Sequence, residues 1–149
     1  MRDILFTGKR IDNGKWVEGY LGVFGDTTQI FVPFTDEEIK ENQGHFLSAI
    51  NGVWHIVDPE TVGQYTGLTD KNGTKIFEGH ILADNPDGSI TNVFEIFWDE
   101  ELAGFMLDDG LNLYCTNEWL KSNESNQILL EVIGNIYDNP ELLKSQKEV

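Results

Sequence analysis

The chain has 149 residues, 40% of them hydrophobic, and a formal net charge of −16 from 26 acidic against 10 basic side chains. This length can bury about 68–70% of the unfolded surface in a core, and the 9 Phe, 4 Tyr and 4 Trp exclude a disordered chain. The charge opposes direct contact with nucleic acid, where Lys and Arg must neutralise phosphates, and the single cysteine excludes an intramolecular disulfide or a thiolate metal cluster.

Residues 1–35 read as an amino-terminal β-meander. Ile4-Leu5-Phe6 opens it, Asp12-Asn13-Gly14 turns, Lys15–Leu21 alternates around Trp16 and Tyr20, and Gln29–Phe34 closes it. Residues 36–52 form a connection. Thr35 and Glu38 have the spacing of a capping box, which predicts a short helix from Asp36 to about Glu41.

Residues 53–137 read as a central β region. Val53–Val57 is an apolar run stopped by Asp58-Pro59, because proline lacks a backbone donor and restricts the residue before it. Thr61–Thr66 is a short extended segment between glycines, and Asp70-Lys71-Asn72-Gly73 predicts a tight type I′ turn before Lys75-Ile76-Phe77. Gly79–Ala83 continues as strand, Asn85–Gly88 turns, and Ser89–Leu107 forms a hairpin around the loop Asp99–Gly104. Leu111–Cys115 is another short piece, with a helical turn expected at Asn117–Lys121. Leu129–Tyr137 is the last strand, with Gly134 as a bulge or crossing point. Residues 138–149 begin a short helix, with Asn139 as cap, Pro140 in the first turn and Leu142 and Leu143 as the docking residues.

Three runs resemble the YopX family encoded by phages and prophages of Gram-positive bacteria: FTGKRIDNGKWVEGYL, DPETVGQYTGLTDKNGTKIFEGH and EVIGNIYDNPELL. They stand in the family's order. His80 occupies a position where the family more often has aspartate. The resemblance implies a small intracellular phage protein with a mostly β fold, and it implies no catalytic residue.

The residues themselves point away from an active site. His45, His55 and His80 lack the spacing of a metal site, Cys115 reads as a buried packing residue, and no nucleophile elbow, Walker or dinucleotide fingerprint is present. A non-enzymatic protein with no cofactor and no metal is expected. The acids are unevenly spread: no basic residue stands between Lys75 and Lys121, where ten acids do. Asp99, Glu100, Glu101, Asp108 and Asp109 are therefore the candidate interaction residues, with Asp99 and Asp108 expected at opposite ends of one strand. The leading expectation is an accessory protein that contacts another protein and self-associates as a homo-oligomer; the alternative is an acidic DNA mimic that occupies the basic groove of a host nucleic-acid-binding protein.

No apolar run reaches the ~20 residues of a membrane span, and the start of the chain has too short an apolar core for a signal peptide, so a cytoplasmic location is expected. The fold expected is mainly β in a single domain over 1–149, a curved sheet or small SH3-like barrel with short helices, or else a β-rich α+β arrangement. Most strand aromatics, Trp16, Tyr20, Trp54, Tyr65, Phe77, Phe94, Phe97 and Trp98, are expected in the core, but the adjacent Phe97 and Trp98 point to opposite faces, so one of them is exposed or covered by a helix or another subunit.

Overall fold

A computed structural model describes residues 1–41, 51–84, 92–116 and 130–147. His45, the turn expected at 85–88, the start of the strand expected from Ser89 and the helical turn at 117–121 lie outside the described residues. The protein is mainly β, with antiparallel sheets and short helices. Its contacts gather into two units, one holding Asp3–Gln64 and the other Tyr65–Val149.

In the first unit, β1 (Phe6–Lys9), β2 (Trp16–Phe24), β3 (Thr27–Pro33) and β4 (Gly52–Ile56) form a meander in the spatial order β4-β3-β2-β1. The sheet curls strongly. The end of β1 reaches β4 at a single bridge, Arg10↔Val57, where the Ile11 N–H donates to the Ile56 carbonyl at 3.2 Å and the Asp58 N–H to the Lys9 carbonyl at 2.8 Å. This is not the closed barrel favoured by the short, glycine-punctuated strands. Asp58-Pro59 is the reason: it starts a 3₁₀ turn over Pro59–Thr61, so no ladder extends beyond the bridge. The Thr61 hydroxyl locks that turn, donating to the Asp58 carbonyl at 2.7 Å and accepting from the Lys9 N–H at 2.9 Å. The capping box forms as expected at α1 (Asp36–Glu41), with Thr35 and Glu38 exchanging bonds of 2.7 and 3.2 Å.

β5 (Gly63–Thr69) begins beside β1, with Gly63 opposite Thr7 and Gln64 opposite Phe6. It starts later than the expected Thr61 because the 3₁₀ turn takes that residue.

In the second unit, the rest of β5 pairs with β6 (Lys75–Phe77), and a five-stranded sheet runs β10-β9-β8-β7-β11. Its strands are β7 (His80–Ala83), β8 (Val93–Asp99), β9 (Gly104–Asp108), β10 (Leu113–Cys115) and β11 (Glu131–Asn135). Ile76, Leu82, Phe94, Ile96, Leu107 and Leu130 make one buried cluster. Ile81, Ala83 and Val93 make another, on which Leu142 and Leu143 of α2 (Glu141–Lys147) dock as expected.

The turn before β6 departs from the expected type I′ geometry. Gly73 has φ +82°, but Asn72 is not among the non-glycine residues at positive φ. Asp70 sets this conformation: its carboxylate accepts from the Asn72 N–H at 2.8 Å and the Thr74 N–H at 2.9 Å, then reaches Val132 at 3.0 Å on β11. Its three backbone bonds explain why a side chain only 5% exposed carries a carboxylate. Gly134 does mark a bulge, where the β11 register shifts. A Cβ there would lie 2.5 Å from Asn139 Oδ1, which accepts from the Asn135 N–H at 3.2 Å. The Asn139 side chain thus turns back onto the strand end, while its carbonyl accepts from the Leu142 N–H at 3.1 Å at the start of α2.

Candidate interaction site

The first unit presents an apolar face. Strand pairing places Tyr20, Phe31 and Trp54 side by side across β2, β3 and β4, with Gly22, Gln29 and Ile56 as the next row and Phe24 beyond it. Tyr20, Phe24, Trp54 and Ile56 are 52%, 53%, 45% and 48% exposed. The expectation that most strand aromatics are core therefore holds for Phe77 and Phe94 and fails for Tyr20 and Trp54, and of the adjacent Phe97 and Trp98 it is Trp98 that is exposed.

Glycines shape this face. A Cβ on Gly22 would lie 2.6 Å from the Phe24 ring and 2.7 Å from the Trp54 ring, and one on Gly52 would lie 2.5 Å from the Phe31 ring. The rings spread over the vacated backbone. Phe24 meets Trp54 edge-on with centroids 5.1 Å apart, and Phe31 meets it at 5.2 Å, tilted by 50°. Mutual packing fixes their orientation while leaving them open to contact.

At the border of this face, Arg10, Ile11, Asp12, Trp54, His55 and Ile56 line a cleft of about 330 Å³. Arg10 Nε donates to Asp12 Oδ1 at 2.9 Å, and its Nη2 binds the other carboxylate oxygen. That pairing holds the Asp12 carboxyl below the usual aspartate range, with the Arg10 hydrogen bond as the main cause and burial opposing it. His55 is held below the ordinary histidine value, first by burial and then by the Arg10 charge, with Asp12 opposing. The cleft thus combines an apolar wall, an internally neutralised ion pair and an imidazole biased towards its neutral form.

The five acids singled out from the sequence lie in the second unit and are not brought together. Asp99 ends β8 and Asp108 ends β9, so one β9 strand, roughly 14 Å at ~3.4 Å per residue, separates their two turns. Asp99 Oδ1 accepts from the Leu102 N–H at 2.9 Å, and Asp108 Oδ1 from the Gly110 N–H at 2.7 Å. Asp109 accepts from Leu111 and Asn112 N–H groups at 2.8 and 2.7 Å and from the Tyr114 hydroxyl at 2.9 Å. Partial burial pushes the Asp109 carboxyl up, but these bonds outweigh it and leave the group below the usual aspartate range. Glu100 and Glu101 are exposed in the β8–β9 turn.

Cys115 is exposed, not buried as expected, because it lies on β10 at the edge of its sheet. His80 Nδ1 accepts from the Phe77 N–H at 3.3 Å across the turn between β6 and β7. Among the described residues, no three His, Cys, Asp or Glu side chains gather as a metal site requires. No helix among them is long and apolar enough to cross a membrane.

Residues 12–144 match the family described as YopX protein. The chain belongs to the YopX family. Among solved structures, this YopX chain is similar to a protein from Enterococcus faecalis described as protein EF1440, with a TM-score of 0.54 and 22% identity over 96% of this chain and 99% of that one. That likeness establishes a shared fold. No curated protein matches the chain.

The family runs quoted from the sequence include Tyr20 but none of Phe24, Phe31 or Trp54. The signal for the apolar face was nonetheless present in β2, where Tyr20, Gly22 and Phe24 alternate large, absent and large side chains on one face.

Proposed function

We propose that this YopX protein is a phage- or prophage-encoded accessory protein that acts in the host cytoplasm without catalysis, by binding another protein through the β2–β3–β4 face. The observation that carries the reading is the joint exposure of Tyr20, Phe24, Trp54 and Ile56 on one sheet face. Aromatic side chains are the usual anchors of protein interfaces, since they bring large area at little entropic cost. Three of the candidate acids, Asp99, Asp108 and Asp109, are already used to hold turns. That employment favours the apolar face over DNA mimicry.

The test is affinity capture from a nuclease-treated host lysate at low and high salt. The native chain is compared with a Tyr20→Ser/Phe24→Ser variant and with one in which Asp99, Glu100, Glu101, Asp108 and Asp109 are neutralised. A salt-resistant partner lost only by the first variant supports the reading. A basic nucleic-acid-handling partner lost only by the second, and shed as salt rises, overturns it in favour of mimicry.

A further inference from the structure

We propose that β4 pairs antiparallel with β4 of a second copy of this chain, about a two-fold axis passing beside Val53. The inference rests on the reading that the protein works by protein contact, and it names one partner and one register. Three backbone bonds fix the direction of the groups on β4. The Val57 N–H donates to the Thr28 carbonyl at 3.0 Å and the Phe34 N–H to the Asn51 carbonyl at 2.9 Å, so Val57 and Asn51 face β3. The Ile56 carbonyl faces the other way, accepting from Ile11 at 3.2 Å. Alternation along the strand then turns the N–H and C=O groups of Gly52 and Trp54 outward as well. Among the described residues these four groups have no backbone partner.

Edge strands that must stay single are blunted by lysine, proline or bulges. Gly52-Val53-Trp54-His55-Ile56 has no such device and no formal charge apart from histidine. For a chain of net charge −16 this is a strip where a like-charged copy meets little repulsion. The flanking Arg10–Asp12 pair adds no net charge there.

The register follows from the same bonds. Ile11 occupies the edge at Ile56, so a two-fold at Trp54, which would need Ile56 as a bonding residue, is closed. A two-fold at Val53 uses only Gly52 and Trp54 of each copy and forms four N–H···O bonds. It sets the Trp54 side chain against the partner's Gly52, large against absent. It also sets Val53 against the partner's Val53 in a non-hydrogen-bonded pair, with Cβ atoms about 4.5–5.5 Å apart.

The test is sedimentation of the full chain under reducing conditions from about 1 to 100 μM, the range in which a modest interface populates. It is joined to oxidative cross-linking in a Cys115→Ser background. The expected results are a concentration-dependent dimer, at least about tenfold weakened by Trp54→Lys, and a Val53→Cys variant that cross-links far faster than a Val23→Cys control. A chain that stays monomeric across the range overturns the proposal. So does a dimer in which Val23→Cys cross-links as readily as Val53→Cys, since it must use another surface. In either case retention of a partner through Tyr20 and Phe24 still stands, so the two readings fail separately.

Discussion

In the second unit Ile76, Leu82, Phe94, Ile96, Leu107 and Leu130 are all at most 2% exposed and pack on one another. Among the described residues of the first unit the buried apolar side chains are Ile30 and Val57, while Ile11, Tyr20, Val23, Phe24, Trp54 and Ile56 are exposed. The two units have similar chemistry in sequence and opposite use of it. The second gathers a continuous buried cluster, while Trp98, Leu102, Leu111 and Leu113 stay exposed at its turns and edge. The first leaves many of them exposed and relies on backbone links such as Thr61 and the Arg10–Val57 bridge for shape.

The sharpest way to break this contrast is at the cohesive core. Phe94→Ala should cost about 3–5 kcal/mol, the range for removing a buried aromatic, read as a lower midpoint in urea unfolding. A loss of under about 1 kcal/mol would mean that the cluster does not carry the second unit's stability.

Next comes Asp70. Replacing it with alanine removes the acceptor shared by the N–H groups of Asn72 and Thr74, on exposed residues, and of the half-buried Val132, and should cost about 1–3 kcal/mol. Asp70→Asn keeps an acceptor oxygen and should lose clearly less. Equal losses from the two variants would show that the bonds are incidental.

A smaller, pH-dependent effect belongs to the first unit. His55 resists protonation in the folded chain, so from its ordinary value near 6.5 downward the unfolded chain takes up a proton that the folded one refuses. Stability should therefore fall as pH drops below that value, and His55→Gln should remove that part of the slope. Asp109 has its own window. Its lowered carboxyl contributes stability above about 3.8 that is lost at more acid pH. A slope near pH 6 unchanged by His55→Gln would assign it to other groups.

The smallest effect on folding should come from Tyr20→Ser with Phe24→Ser. Both side chains are about half exposed, so their removal should shift stability by about 1 kcal/mol or less while abolishing capture of a partner. If folding collapsed instead, the face would belong to the first unit's own cohesion.

Much of the architecture was legible because it is written in local chemistry. Thr35 with Glu38, Asp58 with Pro59 and Gly134 each act within a few residues of themselves, and the Leu142–Leu143 pair stands out as apolar in an otherwise polar end. The type I′ turn at Asn72-Gly73 was misjudged for a non-local reason, since Asp70 answers to Val132 on a distant strand as well as to its own turn. Asn139 has a second use that the sequence does not announce, since its side chain also accepts from Asn135 at the bulged end of β11. For the site, charge density drew attention to Asp99 and Asp108, but charge alone does not reveal that both carboxylates are engaged by turns. The aromatic face was missed because apolar residues in a strand read as core, and which side of a sheet stays open depends on what the rest of the chain covers.

Ala103 carries a different implication. In the β8–β9 turn it adopts φ +49°, a conformation that Gly14, Gly25, Gly67, Gly73, Gly79 and Gly110 serve elsewhere in the chain. An alanine there bears a steric cost of about 1 kcal/mol that glycine would avoid. Ala103→Gly should therefore leave the fold intact and raise its stability slightly, because glycine reaches this backbone conformation without the clash that a Cβ meets.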